Sequence, residues 1–245
     1  MSLSPATQPP SGAGAHELSA ATNTKAGRWF ELSLVLFVAF GSSIFNAIAI
    51  LIYGLTSVAP PPSNLHWVAS TLHEIGGLCL LGYVLWRRGR RFTDIGLRWS
   101  LRDAAVGLVV TFVTYIVYVA GATALNRMHV AMFGTLPQRT PPREIFGHAT
   151  FAALLFSLLN PFFEELLVRA YLMTEVIDLT GSVPLAVFLS TAVQFSYHLY
   201  YGWWTALKLA FQFLVMSLYY ARWRRALPII LTHGFFDLWG VIRLG

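Results

Sequence analysis

Long apolar runs alternate with short polar segments over most of this chain. A run of roughly 20 apolar residues crosses the ~30 Å hydrocarbon core of a bilayer as an α-helix. The pattern therefore predicts an all-α fold, a polytopic transmembrane helix bundle of about seven spans. The predicted spans cover residues 30–58, 66–86, 103–125, 145–177, 183–200, 204–220 and 227–244.

The first 28 residues do not follow this pattern. They are rich in Ser, Ala, Pro, Gly and Thr and have no apolar period, a composition that does not form a packed core. We predict a disordered cytoplasmic tail over residues 1–28 and one transmembrane helical domain over residues 29–245. No signal peptide is expected, because the basic residues precede a full-length apolar run and no short run with a cleavage site follows.

The composition supports a membrane protein. Hydrophobic residues make up 56% of the chain and charged residues only 11%, whereas a soluble domain needs a surface that is about a quarter charged. The formal net charge of +6 reflects arginine clusters at residues 87–91 and 222–225. No soluble basic face accompanies these clusters, so we expect no nucleic-acid partner.

The same arginine clusters predict the orientation in the membrane. With seven spans they fall on one side, and the positive-inside rule makes that side cytoplasmic. Lys25 and Arg28 place the N-terminus there as well. The loop after the third span is basic too, with Arg127, Arg139 and Arg143, and does not fit this orientation. We expect a multi-pass protein of the cell membrane with a cytoplasmic N-terminus.

Three charges interrupt the fourth apolar run, at Glu164, Glu165 and Arg169. A charge at the centre of a span costs about 2.5–3.5 kcal/mol on insertion scales, so such residues are usually buried and functional. If the helix begins after Asn160 as its N-cap, Glu165 and Arg169 stack four residues apart in the favoured order. Glu164 then has no cation within reach on its own helix. The pattern fits either a catalytic carboxylate or a buried ion network that holds helices together.

Two histidines lie in later spans. His198 follows Gln194 by four residues near the end of the fifth span, and His233 precedes Asp237 by four residues in the last one. Asp237 is therefore placed to orient the imidazole of His233 or to hold it protonated. Together with Glu164, the histidines supply the groups of an acid–base site that would converge inside a bundle.

The motif Glu164-Glu165-x-x-x-Arg169, then His198, then His233-x-x-x-Asp237, resembles the three motifs of the CPBP intramembrane proteases. This family includes the type II CAAX prenyl endopeptidases and the bacterial Abi proteins. The segment FTDIGLRW also resembles the region that precedes the family core, so the resemblance covers residues 92–245. Two positions depart from the family pattern, with Gln194 in place of Phe and Asp237 in place of Asn.

The resemblance implies an endopeptidase that hydrolyses a membrane-embedded or lipidated peptide, such as a prenylated CAAX tail, with a glutamate-activated water. Glu164 would be the general base, His198 would hold the water, and His233 with Asp237 would stabilise the oxyanion. Glu165, Arg169 and Gln194 would support the site. No cofactor is certain, although zinc bound by Glu164, His198 and His233 stays open. Oligomeric state is not predicted.

Two other functions stay open, one from the residues and one from the resemblance. Buried Glu, Arg, His and Asp also form proton relays in transporters, although no internal repeat supports a transporter. The resemblance also leaves open a non-proteolytic family member that acts in bacteriocin immunity, since some relatives are linked to bacteriocin tolerance. The segment HEIGG begins like a zinc motif, but Gly77 takes the place of the second histidine. We therefore expect His73 and Glu74 to make polar contacts between helices, with a place in the lining of the cavity as the alternative.

Overall fold

The computed structural model describes residues 24–53, 62–137 and 148–242, and within these ranges its regular structure is entirely helical. This confirms the predicted all-α bundle. Two 3-10 segments, Phe92–Ile95 and Leu199–Tyr201, connect longer helices. The helices, numbered in chain order, are α1 (Lys25–Tyr53), α2 (Asn64–Arg87), α3 (Leu101–Phe133), α4 (Phe151–Thr180), α5 (Val183–Tyr197), α6 (Trp203–Trp223) and α7 (Ala226–Ile242).

Helix lengths differ more than the predicted spans do. Among the described residues, α1, α2, α3 and α4 are long and apolar enough to cross a membrane, whereas α5 and α7 are shorter apolar helices. The helix α1 begins at Lys25, so the last four residues of the predicted disordered tail are helical, and residues 1–23 lie outside the described ranges. The helix α3 continues to Phe133, which places Arg127 in a helix and not in the predicted loop. Arg139 and Arg143 lie outside the described residues.

The helix α4 is the central element of the bundle. In the most apolar stretch of α4, 50% of the residues are buried. The corresponding share is 22% in α1 and in α3 and 33% in α2. It packs against α2 on one side and against α7 on another, while α5 also contacts its second half. The charged residues Glu164, Glu165, Arg169 and Glu175 of α4 are buried within the protein, as the cost of a charge in hydrocarbon requires.

Asn160 does not cap α4, contrary to the sequence prediction. The N-cap is Thr150, whose hydroxyl accepts a hydrogen bond of 3.2 Å from the backbone N–H of Ala153. The helix runs through Pro161 without interruption, because neighbouring helices can compensate for the missing donor inside a membrane bundle. The irregularity comes later, where residues Glu165–Tyr171 form a fully buried π-helical segment. Such segments are rare and frequently lie at functional sites.

Ion pairs bring the basic clusters to one end of the bundle, which we call the basic end. Glu175 near the end of α4 binds Arg28 at 2.8 Å, Arg88 at 2.6 Å and Arg90 at 2.9 Å. Arg88 also binds Glu31 of α1 at 2.5 Å. These contacts join the start of α1 to the ends of α2 and α4. The arginines thus share one end, as the predicted orientation requires.

The segment between α2 and α3 is anchored at the same end by a glycine. Gly96 has φ of +90°, and a Cβ there would collide with the backbone carbonyl of Arg224. Its own carbonyl accepts a hydrogen bond of 2.9 Å from the N–H of Ala226, the first residue of α7. Only glycine adopts this backbone and this approach without strain. The segment therefore helps to fix where α7 begins.

Candidate active site

The predicted site residues of α4, α5 and α7 form one connected network of contacts. Arg169 is completely buried and occupies its centre. Its guanidinium donates hydrogen bonds to Glu165 Oε1 and to Gln194 Oε1, and a longer one of 3.4 Å to the carbonyl of Phe213. The predicted Glu165–Arg169 pair is therefore present. It also reaches a second helix through Gln194, which the spacing within α4 does not reveal.

Glu164 is held by two donors from α5. Its Oε2 accepts a hydrogen bond of 2.5 Å from the hydroxyl of Tyr197 and one of 3.1 Å from Nε2 of Gln194. The same oxygen lies 3.9 Å from Nε2 of His233. Both of these donors bind Oε2, and neither binds Oε1. One carboxylate oxygen is thus fixed, and the other can accept a proton from a bound molecule.

His233 has a carboxylate beside each ring nitrogen. Its Nδ1 lies 2.7 Å from Oε1 of Glu165, and its Nε2 lies 3.5 Å from Oδ1 of Asp237. The shorter contact is the one to Glu165, which is therefore the main orienting group. The sequence had predicted this role for Asp237. Asp237 is in turn held by Nδ2 of Asn160, which donates a 3.0 Å hydrogen bond to Oδ2.

His198 joins the network through the backbone. Its Nδ1 lies 2.8 Å from the carbonyl oxygen of Gln194. A carbonyl only accepts, so Nδ1 donates, and the neutral ring carries its lone pair on Nε2. The ring stacks on Tyr201, with 5.9 Å between the ring centroids and 13° between the planes. His198 lies close enough to His233 and Asp237 to interact with both electrostatically.

Three further residues belong to this site and were missed or underrated in the sequence. Tyr197 binds Glu164, and Asn160 binds Asp237. Glu74 of α2 is 3% exposed and interacts electrostatically with Glu164, His233 and Asp237. Among the described residues, nothing donates a hydrogen bond to its Oε2. The signals were present, because Tyr197 precedes His198, Asn160 lies one turn before Glu164, and Glu74 is an acid within a span.

The predicted interhelical role of His73 is confirmed. Its Nε2 lies 2.9 Å from the carbonyl of Ala39 in α1. Gly77, where a zinc motif would have its second histidine, packs directly against the ring of Phe163. The glycine therefore serves close packing of α2 on α4, beside Glu164.

The residues of the site are not arranged as a metal centre. Within the part of the chain that the structure describes, no three His, Cys, Asp or Glu side chains converge on a point where one ion could bind. In the proposed zinc set of Glu164, His198 and His233, the Nδ1 atoms of both histidines and Oε2 of Glu164 already have protein partners. Zinc binding would require Nε2 of both rings and Oε1 of Glu164 to move towards a common point.

Comparison with known proteins supports the motif-based interpretation. Residues 146–239 match the model of the family described as Type II CAAX prenyl endopeptidase Rce1-like. The matched segment contains all three motifs, from Glu164 to Asp237, and starts later than the resemblance predicted from residue 92. No curated protein and no solved structure matches the chain. Over these residues, the match supports the family recognised from the motifs.

Proposed function

We propose that the protein is a CPBP-type intramembrane endopeptidase that hydrolyses a membrane-associated peptide with a water activated by Glu164, and the family match over residues 146–239 supports this. The main support is the way in which the Glu164 carboxylate is held. Tyr197 and Gln194 both bind one of its oxygens and neither binds the other, and the carboxylate lies in a site shared with two histidines. A general base needs an oriented carboxylate with one free acceptor.

The first step of the proposed reaction is proton removal from water by Glu164. As the proton moves to the carboxylate, the water oxygen forms a bond with the carbonyl carbon of the substrate and generates a tetrahedral oxyanion. When the C–N bond breaks, Glu164 returns the proton to the departing amine nitrogen. A positioned general base contributes about 10²–10⁴-fold to such a reaction.

His233 is the proposed donor to the oxyanion. Glu165 faces its Nδ1 and Asp237 faces its Nε2, so the ring has an acceptor for a proton at either nitrogen. A donor held in place before the reaction stabilises developing charge strongly where water is excluded, and losing one such donor costs about 10²–10³ in rate. The burial of His233, which is 7% exposed, supports this role.

His198 is proposed to hold the attacking water. Its Nδ1–H is used by the carbonyl of Gln194, which leaves the lone pair of Nε2 as an acceptor for a water proton. The water would then be held by His198 and by Glu164 together. The stacking on Tyr201 restricts rotation of the ring and supports a positioning role.

The proposed substrate class is a lipidated peptide, in the first place a prenylated CAAX-type tail, and this follows from the family. A farnesyl chain partitions into the bilayer and brings the peptide to a site between helices. The proposed orientation places the basic end and the N-terminus at the cytoplasmic face, because the arginines at the start of α1 and in the α2–α3 and α6–α7 connections share that end.

The decisive experiment compares cleavage of fluorogenic farnesylated and unlipidated peptides by purified protein in proteoliposomes. Glu164→Gln should retain the melting temperature and lose about 10²–10⁴-fold in turnover. The matched control is Glu31→Gln, which also neutralises a buried glutamate but lies at the basic end, in the ion pair with Arg88. It should keep its turnover per folded molecule. Equal turnover in Glu164→Gln and wild type would refute the proposed base.

The same preparation separates the proposal from the other two functions. A transporter would move protons across the proteoliposome membrane, and Glu164→Gln would abolish flux without any cleavage. An immunity protein would show neither cleavage nor flux with any peptide. Either result would refute the proposed protease function in favour of the corresponding alternative.

We propose that the reaction needs no metal. An excess of EDTA, followed by removal of the chelator, should then leave turnover unchanged. Loss of turnover that Zn²⁺ restores would instead assign a metal to Glu164, His198 and His233, after a rearrangement of their side chains. Metal content of the purified protein, measured by mass spectrometry, gives a readout that does not depend on activity.

A further inference from the structure

A groove of about 780 Å³ lies between α3 and α6, with its mouth at the basic end. Valines of α3 form one wall, and Val215 and Leu218 of α6 contribute to the other. Three arginines stand at the mouth: Arg102, Arg222 and Arg225. None of these groove residues takes part in the contacts of the candidate active site, so the groove is a separate feature.

The wall of the groove is apolar and partly open. Val109 is 62% exposed, Val113 44% and Leu218 52%. The valine wall runs from Val106 to Val113, a rise of about 10 Å along the helix at 1.5 Å per residue. In a bilayer, a concave apolar wall of this length can contact several methylene groups of one acyl chain.

The mouth carries unbalanced positive charge. Arg225 binds Asp103 at 2.5 Å, which neutralises one of the three arginines. Among the described residues, no acid pairs with Arg102 or Arg222. Arginine presents paired N–H donors that match the oxygens of a phosphate. The groove therefore combines two unneutralised phosphate-binding side chains with an apolar cleft directly below them.

Aromatic rings mark the depth of the mouth in the membrane. Tyr219 and Trp223 stack with ring centroids 4.8 Å apart, and the guanidinium of Arg222 lies 5.8 Å from the ring centroid of Trp223. Trp and Tyr are enriched at the level of lipid headgroups. The arginines thus stand at the height where the phosphate of a lipid lies.

We propose that this groove binds an anionic phospholipid, with its phosphate between Arg102 and Arg222 and one acyl chain along the valine wall. Basic pockets between transmembrane helices are the recognised form of such sites. The lipid would bridge α3 and α6. The same helix α3 contacts α7 next to His233, since the hydroxyls of Thr111 and Thr232 lie 3.1 Å apart. Occupancy should therefore stabilise the bundle as any ligand of the folded state does.

The experiment uses the purified full-length protein in detergent with added phosphatidylglycerol or phosphatidylcholine of identical acyl chains. Native mass spectrometry should show that the protein retains more phosphatidylglycerol than phosphatidylcholine. The melting temperature should rise with phosphatidylglycerol only. Each of Arg102→Gln and Arg222→Gln should weaken retention about fivefold. The matched control is Arg98→Gln, which removes an exposed arginine that does not line the groove, and it should have no effect.

A second pair of variants tests the acyl-chain wall without changing charge. Val113→Trp fills the groove, whereas Val119→Trp adds the same bulk on α3 outside it, at a residue of similar exposure. Only Val113→Trp should reduce phosphatidylglycerol retention. Both variants should keep the melting temperature of the lipid-free protein, which separates loss of binding from loss of folding.

Three outcomes would overturn the proposal. The first is equal retention of the two lipids that the arginine changes do not alter. The second is a melting temperature raised as much by inorganic phosphate alone, which would make the mouth an anion site without a lipid. The third is displacement of phosphatidylglycerol by a farnesylated peptide at stoichiometric amounts, which would assign the groove to substrate.

Discussion

Glu165 Oε1 lies 2.7 Å from Nδ1 of His233 and accepts a hydrogen bond from Arg169 at the same time. One carboxylate oxygen therefore joins a fully buried guanidinium to the imidazole proposed to stabilise the oxyanion. The two neighbouring glutamates have different partners, because Glu164 is held by α5 and Glu165 by Arg169 and α7. Glu165 is thus more than the partner of Arg169.

The first prediction concerns this shared oxygen. Glu165→Gln keeps the volume of the side chain but removes the negative charge from the acceptor that Arg169 and His233 share. A hydrogen bond to a charged group is worth about 1.5–3 kcal/mol, and 1.4 kcal/mol corresponds to tenfold in rate. We expect a lower melting temperature and, in addition, a loss of about tenfold or more in turnover per folded molecule.

The control for this variant is Glu175→Gln at the basic end. Glu175 is also completely buried and also binds arginines, but it contacts no residue of the candidate site. The melting temperature of Glu175→Gln should fall, while its turnover per folded molecule should stay unchanged. If Glu165→Gln behaves in the same way as Glu175→Gln, Glu165 does not position His233.

The second prediction separates shape from charge at Asp237. Asp237→Asn keeps an acceptor for Asn160 and for His233, so turnover should fall by less than about tenfold, the worth of one ordinary hydrogen bond. Asp237→Leu removes the acceptor and leaves the amide of Asn160 without its partner, and turnover should fall by about 10² or more. Steady-state kinetics on equal amounts of folded protein measure both. Similar losses in the two variants would mean that the negative charge itself is required.

The third prediction concerns the bridge made by Gln194 between Arg169 and Glu164. Gln194→Leu leaves one donor of a buried guanidinium unpaired and removes one of the two donors to Glu164, at a cost of about 1–3 kcal/mol or more in stability. Turnover should fall beyond this, since Glu164 is then held by Tyr197 alone. Gln212→Leu in α6 is the control, because Gln212 is also buried and lies outside the network. An unchanged melting temperature in Gln194→Leu would argue against the bridge.

The fourth prediction tests the close packing of α2 on α4. A Cβ at Gly77 would overlap the ring of Phe163, whereas a Cβ at the adjacent Gly76 meets nothing within 4 Å. Overpacking of this kind costs about 1–3 kcal/mol, so Gly77→Ala should lower the melting temperature. It should also reduce turnover, because Phe163 precedes Glu164. Gly76→Ala should be neutral or slightly stabilising, since alanine favours the helix. Equal effects in the two variants would show that α2 does not pack this closely.

The sequence by itself determined the class of the protein and the identity of its candidate site. Runs of apolar residues predicted a membrane bundle of seven helices, and the order and spacing of three motifs indicated the family that residues 146–239 match. The pairing of Glu165 with Arg169 was also predictable. These features depend on local geometry, because a helix brings residues four apart onto one face whatever surrounds it.

The tertiary structure decided which groups face one another across helices. Glu165 and His233 are 68 residues apart in the chain, and the bridge through Gln194 and the bond between Asn160 and Asp237 also join separate helices. These contacts depend on how far each helix is rotated about its own axis and on the π-helical segment at residues 165–171. A hydrophobic pattern predicts that a helix crosses the membrane, but packing against neighbours sets its rotation. For this reason the sequence assigned the orientation of His233 to Asp237, on its own helix, and only the folded bundle revealed Glu165.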